Sequence, residues 1–161
     1  MQKRAQLQLS FGVIFSIIII VATLAVAGYI IVKFLNTDSN VQCKLFVQDL
    51  QTKINSAWAS DGASSYVFTE DVPSGVQQVC LGYLNASASS QADQSVQTGL
   101  HNYAPLRNNF FFYPRSSCGG SFYNVLQHTD INGFFCFPTQ NGKASITVSK
   151  GSFDALVKLG K

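Results

Sequence analysis

No charged residue occurs between Ala5 and Val32, and the most apolar part of this run covers residues 11–34. An α-helix rises about 1.5 Å per residue, so residues 11–32 would extend about 33 Å and cross a hydrocarbon core of about 30 Å. A helix that is apolar on every face needs lipid or a large apolar core around it, and the rest of the chain has too few long apolar segments to supply that core. The run therefore predicts a transmembrane helix over residues 11–34.

A cleaved secretory signal is the alternative interpretation of this run. The apolar region of such a signal is shorter, about 7–15 residues, and it ends at a small-x-small cleavage site. Ala25-Val26-Ala27 supplies a triplet of this kind, but it lies deep in the run and is followed by GYIIVKF. Cleavage there would leave an apolar new terminus, so we expect the segment to be kept as an anchor.

The flanking charges predict the orientation of the segment. Lys3-Arg4 precedes it with no acidic residue, whereas Lys33 alone follows it before Asp38. Because segments rich in Lys and Arg stay in the cytoplasm, we expect residues 1–10 to be cytoplasmic and residues 35–161 to form an extracytoplasmic domain. The predicted location is the cell membrane, and the first predicted partner is the lipid bilayer.

The outer part of the chain is neutral overall. The formal net charge of +3 comes from Lys3, Arg4 and Lys33, which leaves eight basic residues (11 minus 3) and eight acidic residues from Phe34 onwards. Since there is no basic stripe to follow a phosphate backbone, nucleic acid is not an expected partner. A length of about 125 residues suits one compact domain.

All four cysteines lie in this outer part, at Cys43, Cys80, Cys118 and Cys136. An even number of cysteines in a small exported domain predicts two disulfides, for which three pairings exist. A zinc site is not expected, because no two cysteines have the close spacing of zinc ligands and neither histidine is near one. Cys80 and Cys136 lie in short apolar, β-like runs, so we favour a cross-sheet bond between them, which leaves Cys43 to pair with Cys118.

One N-glycosylation sequon is present, Asn85-Ala86-Ser87. It lies in the polar segment LNASASSQADQS, whose composition suits an exposed loop outside the cell. Asn85 is therefore the candidate glycosylation site.

A second, amphipathic helix is predicted after the apolar run. Ser39 and Gln42 have the spacing of a capping box, and Gly62 marks the end. Apolar residues recur at roughly helical spacing at Val41, Leu45, Leu50, Ile54 and Ala57 or Trp58. Residues 36–40 are poor helix formers without being absolute breakers, so the sequence leaves open whether the two helices join.

Beyond Gly62, short runs rich in Val, Ile, Phe and Tyr predict at most five β-strands. These runs are residues 64–71, 76–84, 108–114, 132–139 and 143–151. Asn141-Gly142 predicts the tight turn of a hairpin that joins the last two. A short helix is expected within 92–103, and a helical turn or two within 122–130 and within 152–160. The expected fold class is α+β: an N-terminal transmembrane helix, then an amphipathic helix packed on a mainly antiparallel sheet.

Two aromatic runs, residues 110–113 and 134–137, lie within these predicted strands. Strand alternation places Phe110 and Phe112 on one face and Phe111 and Tyr113 on the other, so both faces need cover. Core packing or contact with another subunit explains these runs at least as well as a ligand groove.

Catalytic motifs are absent from the sequence, which contains no G-x-S-x-G, H-E-x-x-H or P-loop pattern. Glu70-Asp71 is interpreted as a solvated pair. His128 with Asp130, or His101, could serve Cys118 or a serine as nucleophile, but the outer compartment favours an oxidised cysteine. We therefore expect no enzymatic activity, no cofactor and no metal.

The N-terminal stretch KRAQLQLSF, followed by a long apolar helix, resembles the class III signal of archaeal type IV pilin-like proteins. In that family basic residues and a small residue precede Gln, which corresponds here to Lys3-Arg4, Ala5 and Gln6. The resemblance implies peptidase cleavage between Ala5 and Gln6, with the apolar helix kept as anchor and filament core beneath a β-rich head. It also implies contact with itself or with other pilin-like subunits through this stem, in a surface filament.

The chain departs from the family at two positions after the implied cut. Gln8 stands where Ser is usual, and Ser10 stands where Glu is usual. The family's Glu pairs with the amino terminus of a neighbouring subunit, and a charge buried in a stem is tolerated only when it is paired. The same stretch also resembles the N-termini of uncharacterised single-span surface proteins of small-genome archaea, a likeness that implies no activity.

Three functions follow from these observations. The first is an anchored protein with a pilin-like stem and an extracytoplasmic head, with a structural or adhesive role or as a minor component of a surface assembly. The second is a monomeric, single-pass binding module for a ligand or a cell-surface partner. The third, less favoured, is an exported enzyme, which free thiols in the head would support.

Overall fold

The computed structural model describes residues 11–160 and divides into two compact units, residues 1–37 and residues 38–161. The first helix, α1, spans Phe11–Trp58 and belongs to both units. No new helix begins at Ser39, so the predicted capping box does not act as a helix start. The sequence left open whether the apolar helix and the amphipathic helix join, and in the structure both belong to the one helix α1.

The second unit, called the head below, is an α+β domain with eight strands. In chain order its elements are β1 (Ser64–Asp71), β2 (Gln78–Leu81), α2 (Gln91–Leu100), β3 (Phe110–Tyr113), β4 (Tyr123–Asn124), β5 (Thr129–Asp130), β6 (Phe135–Pro138), β7 (Lys143–Lys150) and β8 (Val157–Gly160). Short 3₁₀ helices cover His101–Leu106, Arg115–Ser117 and Gly119–Ser121. The α+β class agrees with the prediction, and the count of at most five strands was too low.

The strands form two four-stranded sheets instead of one. The first has the order β1-β7-β8-β5, and the second has the order β4-β3-β2-β6. All pairs are antiparallel except β5 with β8, which makes the first sheet mixed.

The head portion of α1 packs into the head through one apolar stripe, and Phe46 on this stripe contacts both sheets. The stripe consists of Cys43, Phe46, Val47, Leu50, Ile54 and Ala57, all of them buried. Val41 and Leu45, which the sequence placed on this stripe, are about half exposed. More than one set of apolar residues in this part of α1 has the helical spacing of three and four residues. The set that begins at Cys43 is the buried one.

Phe46 joins the two sheets through aromatic contacts. Its ring centroid lies 5.3 Å from that of Phe68 in β1, and 6.2 Å and 5.6 Å from those of Phe110 and Phe112 in β3. On the opposite face of β3, Phe111 lies 6.3 Å from Phe134. Phe110, Phe111 and Phe112 are completely buried, so both faces of this strand are covered, as alternation predicted.

The expected short helix forms as α2, with Ser90 as its N-cap. The Ser90 hydroxyl accepts a hydrogen bond from the Asp93 amide and donates one to Asp93 Oδ2. Asp93 Oδ1 in turn accepts the amide of Cys136, at 3.0 Å. This buried carboxylate therefore ties the start of α2 to β6.

Residues 122–130 and 152–160 were predicted as helical turns, and both predictions were wrong. In the first segment the side chain of Asn109 forms two hydrogen bonds with the backbone of Leu126. Asn109 Nδ2 donates to the Leu126 carbonyl, and Asn109 Oδ1 accepts from the Leu126 N–H. In the second, Val157 and Leu159 alternate inward from β8, whereas Phe153 is fully exposed. Strand alternation, and not helical spacing, buries Val157 and Leu159.

The turn at Asn141-Gly142 forms, but it does not join two paired strands. Both residues have positive φ, at 52° and 73°, and the backbones of Gln140 and Lys143 exchange hydrogen bonds across the turn at 2.9 Å. Beyond that bridge, β6 pairs with β2 in one sheet and β7 pairs with β1 in the other. The predicted hairpin is therefore a crossing point between the two sheets.

Candidate functional site

The apolar segment Gly12–Val32 is long and apolar enough to span a membrane. It has 21 residues with a mean hydropathy of 2.7, and none of its 18-residue window is buried within the molecule. Its polar hydroxyls are satisfied within the helix, since Ser16 donates to the Gly12 carbonyl and Thr23 to the Ile20 carbonyl. The predicted cleavage residues Ala5 and Gln6 lie outside the described residues.

Both disulfides lie in the head. Cys43 of α1 is bonded to Cys118, which lies between two 3₁₀ helices, and Cys80 of β2 is bonded to Cys136 of β6. Cys80 and Cys136 are directly opposite each other in the antiparallel register. The pairing in the structure agrees with the one favoured from the sequence, and no cysteine in the described part of the chain is free.

Among the described residues, no side-chain hydrogen bond joins any two of the candidate catalytic residues His101, Cys118, His128 and Asp130. The ring of His128 stacks on Trp58 with centroids 3.8 Å apart, and its Nδ1 lies 3.3 Å from Asn55 Oδ1. Cys118 is held in a disulfide. Asp71 is exposed and forms a salt bridge with Lys143 at 3.1 Å, which agrees with its interpretation as solvated.

No cluster of three potential metal-ligating side chains occurs within residues 11–160.

The head contains a cleft of about 660 Å³ between two loops. A turn closed by the Ala86 amide donating to the Tyr83 carbonyl at 3.0 Å forms one wall, and Gln97 Nε2 of α2 fixes this turn by donating to the Ala86 carbonyl at 2.7 Å. The 3₁₀ helix His101–Leu106 and the residues after it form the other wall. The residues lining the cleft are Tyr83, Leu84, Asn85, Ala104, Pro105, Arg107 and Asn108.

Asn85, the candidate glycosylation site, is exposed at the rim of this cleft. The sequon lies in a turn and short coil, as its polar composition predicted. The backbone carbonyl of Ser87, the last residue of the sequon, accepts a hydrogen bond from the amide of Phe134. This bond holds the sequon backbone beside the second sheet. An oligosaccharide transferred to Asn85 would therefore begin at the mouth of the cleft.

A second feature of the head is an aromatic group beside the end of α1. Trp58 is 42 % exposed, and its Nε1 donates to the carbonyl of Ala155 at 3.2 Å. The side chain of Phe153, in the same loop, is fully exposed to solvent. Asp154 shapes this loop, since its Oδ2 accepts the Gly151 amide and its Oδ1 accepts from Lys158 Nζ at 3.0 Å.

The hydrogen bond from Lys158 is the main cause that lowers the pKa of Asp154, with the bond from the Gly151 amide second. On the other side of the head, burial raises the pKa of Tyr66, whose hydroxyl donates to the carbonyl of Lys53.

Sequence reasoning missed Arg107 and Phe153. The cluster Pro105-Leu106-Arg107-Asn108-Asn109 was a turn signal that could have marked the cleft wall. Phe153 carried no such signal, because an apolar residue in a loop cannot be told from a buried one by composition.

Comparison with known proteins found no matching family model, no matching curated protein and no matching solved structure. What the chain does has to follow from its own residues and geometry.

Proposed function

We propose that this chain is a membrane-anchored protein whose disulfide-bonded head lies outside the cytoplasm, with a structural or adhesive role in a surface assembly. Under this proposal the stem is pilin-like: a peptidase cuts between Ala5 and Gln6, and the apolar helix remains as the anchor. The role is non-catalytic. The assembly would contain copies of this chain or other pilin-like subunits.

The proposal rests on one observation: the same chain has an exposed apolar helix and, after it in sequence, a head with two disulfides. None of the residues that the structure describes buries Gly12–Val32, so lipid or the stems of other subunits would have to cover it. Both disulfides follow the segment in sequence, and disulfides persist in oxidising compartments outside the cytoplasm. The basic pair Lys3-Arg4 before the segment supports the same orientation.

The alternative, a monomeric anchored binding module, shares this anchor and orientation and differs in the role of the stem. The cleft beside Asn85 is the observation that favours it. Self-association through the stem separates the two, because a monomeric module would remain a monomer in the membrane.

The test is the intact mass of the protein isolated without reducing agent from membranes of the cells that make it. We expect a chain that lacks Met1–Ala5 and contains two disulfides. Gln6→Ala should leave an uncut, heavier protein, whereas the matched substitution Gln8→Ala should be cut normally. Cross-linking in the same membranes should then capture stem-to-stem contacts.

Two other measured masses would each refute a part of the proposal. A full-length amino terminus would retain the anchor and refute the pilin-like processing. A chain that begins after Ala27 would refute the anchor, because the apolar segment would have acted as a cleaved signal.

A further inference from the structure

The cleft between Tyr83 and Asn108 brings together polar groups that the head itself does not satisfy. Among the residues that the structure describes, none bonds with the Tyr83 hydroxyl, the Asn85 amide or the Arg107 guanidinium. Three side chains with donors therefore line one concave surface without protein partners. Polar groups that converge in a cleft of this size are the usual mark of a ligand site.

Asn108 adds an independent observation at the same place. It is only 7 % exposed, and its Nδ2 is buried with no hydrogen-bond acceptor among the described residues. Its neighbour Asn109 is also buried, but the Asn109 side-chain amide bonds to the backbone of Leu126 and to the Thr129 hydroxyl. A buried donor costs stability unless something accepts its hydrogen bond, so the unused Asn108 amide points to an acceptor that the chain does not supply.

Arg107 is held in an unfavourable backbone conformation at the cleft wall. Its φ is 53°, in the left-handed region that non-glycine residues seldom adopt. It caps the 3₁₀ helix His101–Leu106, with its amide donating to the Ala104 carbonyl at 3.3 Å. A strained position is kept when the side chain placed there has a use, and here that side chain is the only charged group lining the cleft in the described chain.

These groups define the chemistry of a ligand. The Tyr83 ring, Ala104 and Pro105 offer flat apolar surface, whereas the exposed side-chain amide of Asn85 offers both a donor and an acceptor. A sugar ring matches this mixture, because it has an apolar face and several hydroxyls. Since the guanidinium of Arg107 prefers a carboxylate and no acidic residue lines the cleft in the described chain, a sugar acid matches better than a neutral sugar.

We propose that the cleft formed by Tyr83, Asn85, Arg107 and Asn108 binds a saccharide that carries a carboxylate, with Arg107 pairing with the carboxylate. This binding role is separate from the anchoring role and holds whether or not the stem assembles.

Two sources could supply such a saccharide. One is a free glycan or a glycan on another surface. The other is an N-linked glycan on Asn85 of the same chain, which begins at the rim of the cleft. The chemistry recognised is the same in both cases.

The test measures binding of methyl β-D-glucuronide to the detergent-solubilised full chain by isothermal titration calorimetry, with methyl β-D-glucoside as the neutral control. We expect a Kd of about 1 mM for the glucuronide, the weak affinity typical of a small ligand, and binding at least about tenfold weaker for the glucoside. Arg107→Gly should remove this difference. Glycine suits the positive φ, so the variant should keep its fold. Lys53→Ala, which removes an exposed cation outside the cleft, is the control and should bind normally.

The source is resolved by Ser87→Ala, which destroys the sequon and leaves Asn85 in place. Both proteins are made in the native host. Binding by the parent and by Ser87→Ala would identify a free saccharide as the ligand. Binding by Ser87→Ala alone, together with an acidic sugar on Asn85 of the parent, would identify the chain's own glycan. Equal affinity for glucuronide and glucoside, or no binding by either protein at about 50 mM, would overturn the proposal.

Discussion

Replacing Phe46 by Ala should destabilise the head more than any neighbouring substitution on α1. Phe46 is 3 % exposed and contacts Phe68 in one sheet and Phe110 and Phe112 in the other. Removing a buried Phe side chain costs about 3–5 kcal/mol, and the loss of edge-to-face aromatic pairs places Phe46 at the upper end of this range. Because a domain of this size is stable by about 5–15 kcal/mol, the variant should lose at least about a third of its stability.

Thermal unfolding followed by the fluorescence of Trp58 measures this loss in the head alone, because the chain contains one Trp. The midpoint for Phe46→Ala should fall by about 10–20 °C for a domain of this length. The control is Leu45→Ala, one residue away, half exposed and at a position that the sequence had placed on the core face. It should change stability by about 0.5 kcal/mol or less. A larger loss for Leu45→Ala than for Phe46→Ala would refute the burial of Phe46 against the two sheets.

Two further predictions test the head elsewhere. Gly82→Ala should cost about 3 kcal/mol or more, because φ is +113° and a Cβ would stand 2.0 Å from the Gly133 carbonyl oxygen; Gly62→Ala, with open space around it, should change the unfolding midpoint little. The lowered pKa of Asp154 adds stability that is present above the ordinary carboxyl value of about 3.9 and lost as the pH falls through the folded value. Carboxyl NMR should show Asp154 titrating below that value, and Lys158→Ala should raise its pKa; an ordinary pKa in the parent would contradict the loop geometry.

The elements that the sequence predicted well are those fixed by strong local patterns. The apolar run needs only length and the absence of charge to be a helix that can span a membrane. Cys80 and Cys136 lie in β-rich runs that become adjacent strands, so β-propensity alone made their pairing plausible. Asn141-Gly142 forms its turn because the two residues tolerate positive φ, whatever the strands on either side do.

The failures occur where tertiary contacts choose between locally equivalent patterns. Leu45 and Phe46 both satisfy helical spacing, and only the positions of the two sheets decide which of them is buried. The segment around Leu126 has a composition that allows a helix, but Asn109, 17 residues earlier, takes its backbone hydrogen bonds. Interactions at such sequence separation cannot be read from a window of neighbouring residues.

The candidate cleft was beyond prediction for a related reason. Its walls come from two loops that flank α2, and neither the sequon in the first loop nor the turn residues in the second indicates a cavity. The features that mark it are a positive φ at Arg107 and an unused buried amide at Asn108, which exist only once the chain is folded. Places where a fold violates local preferences are expected at functional sites, because a sequence selected for stability alone would remove them.

The two proposals concern different parts of the chain, and this separation allows each to fail alone. The residues that line the cleft all belong to the head, whereas the processing and anchoring residues lie before residue 38. If the stem is cut after Ala5 and assembles, each subunit would bring one cleft, and a weak affinity for a single sugar acid would be multiplied by the number of subunits that engage one surface. If the stem is only an anchor, clefts on neighbouring monomers would act together only at high density in the membrane. If both proposals hold, assembly of the stem would set how strongly the cell adheres, and the chemistry of the cleft would set what it adheres to.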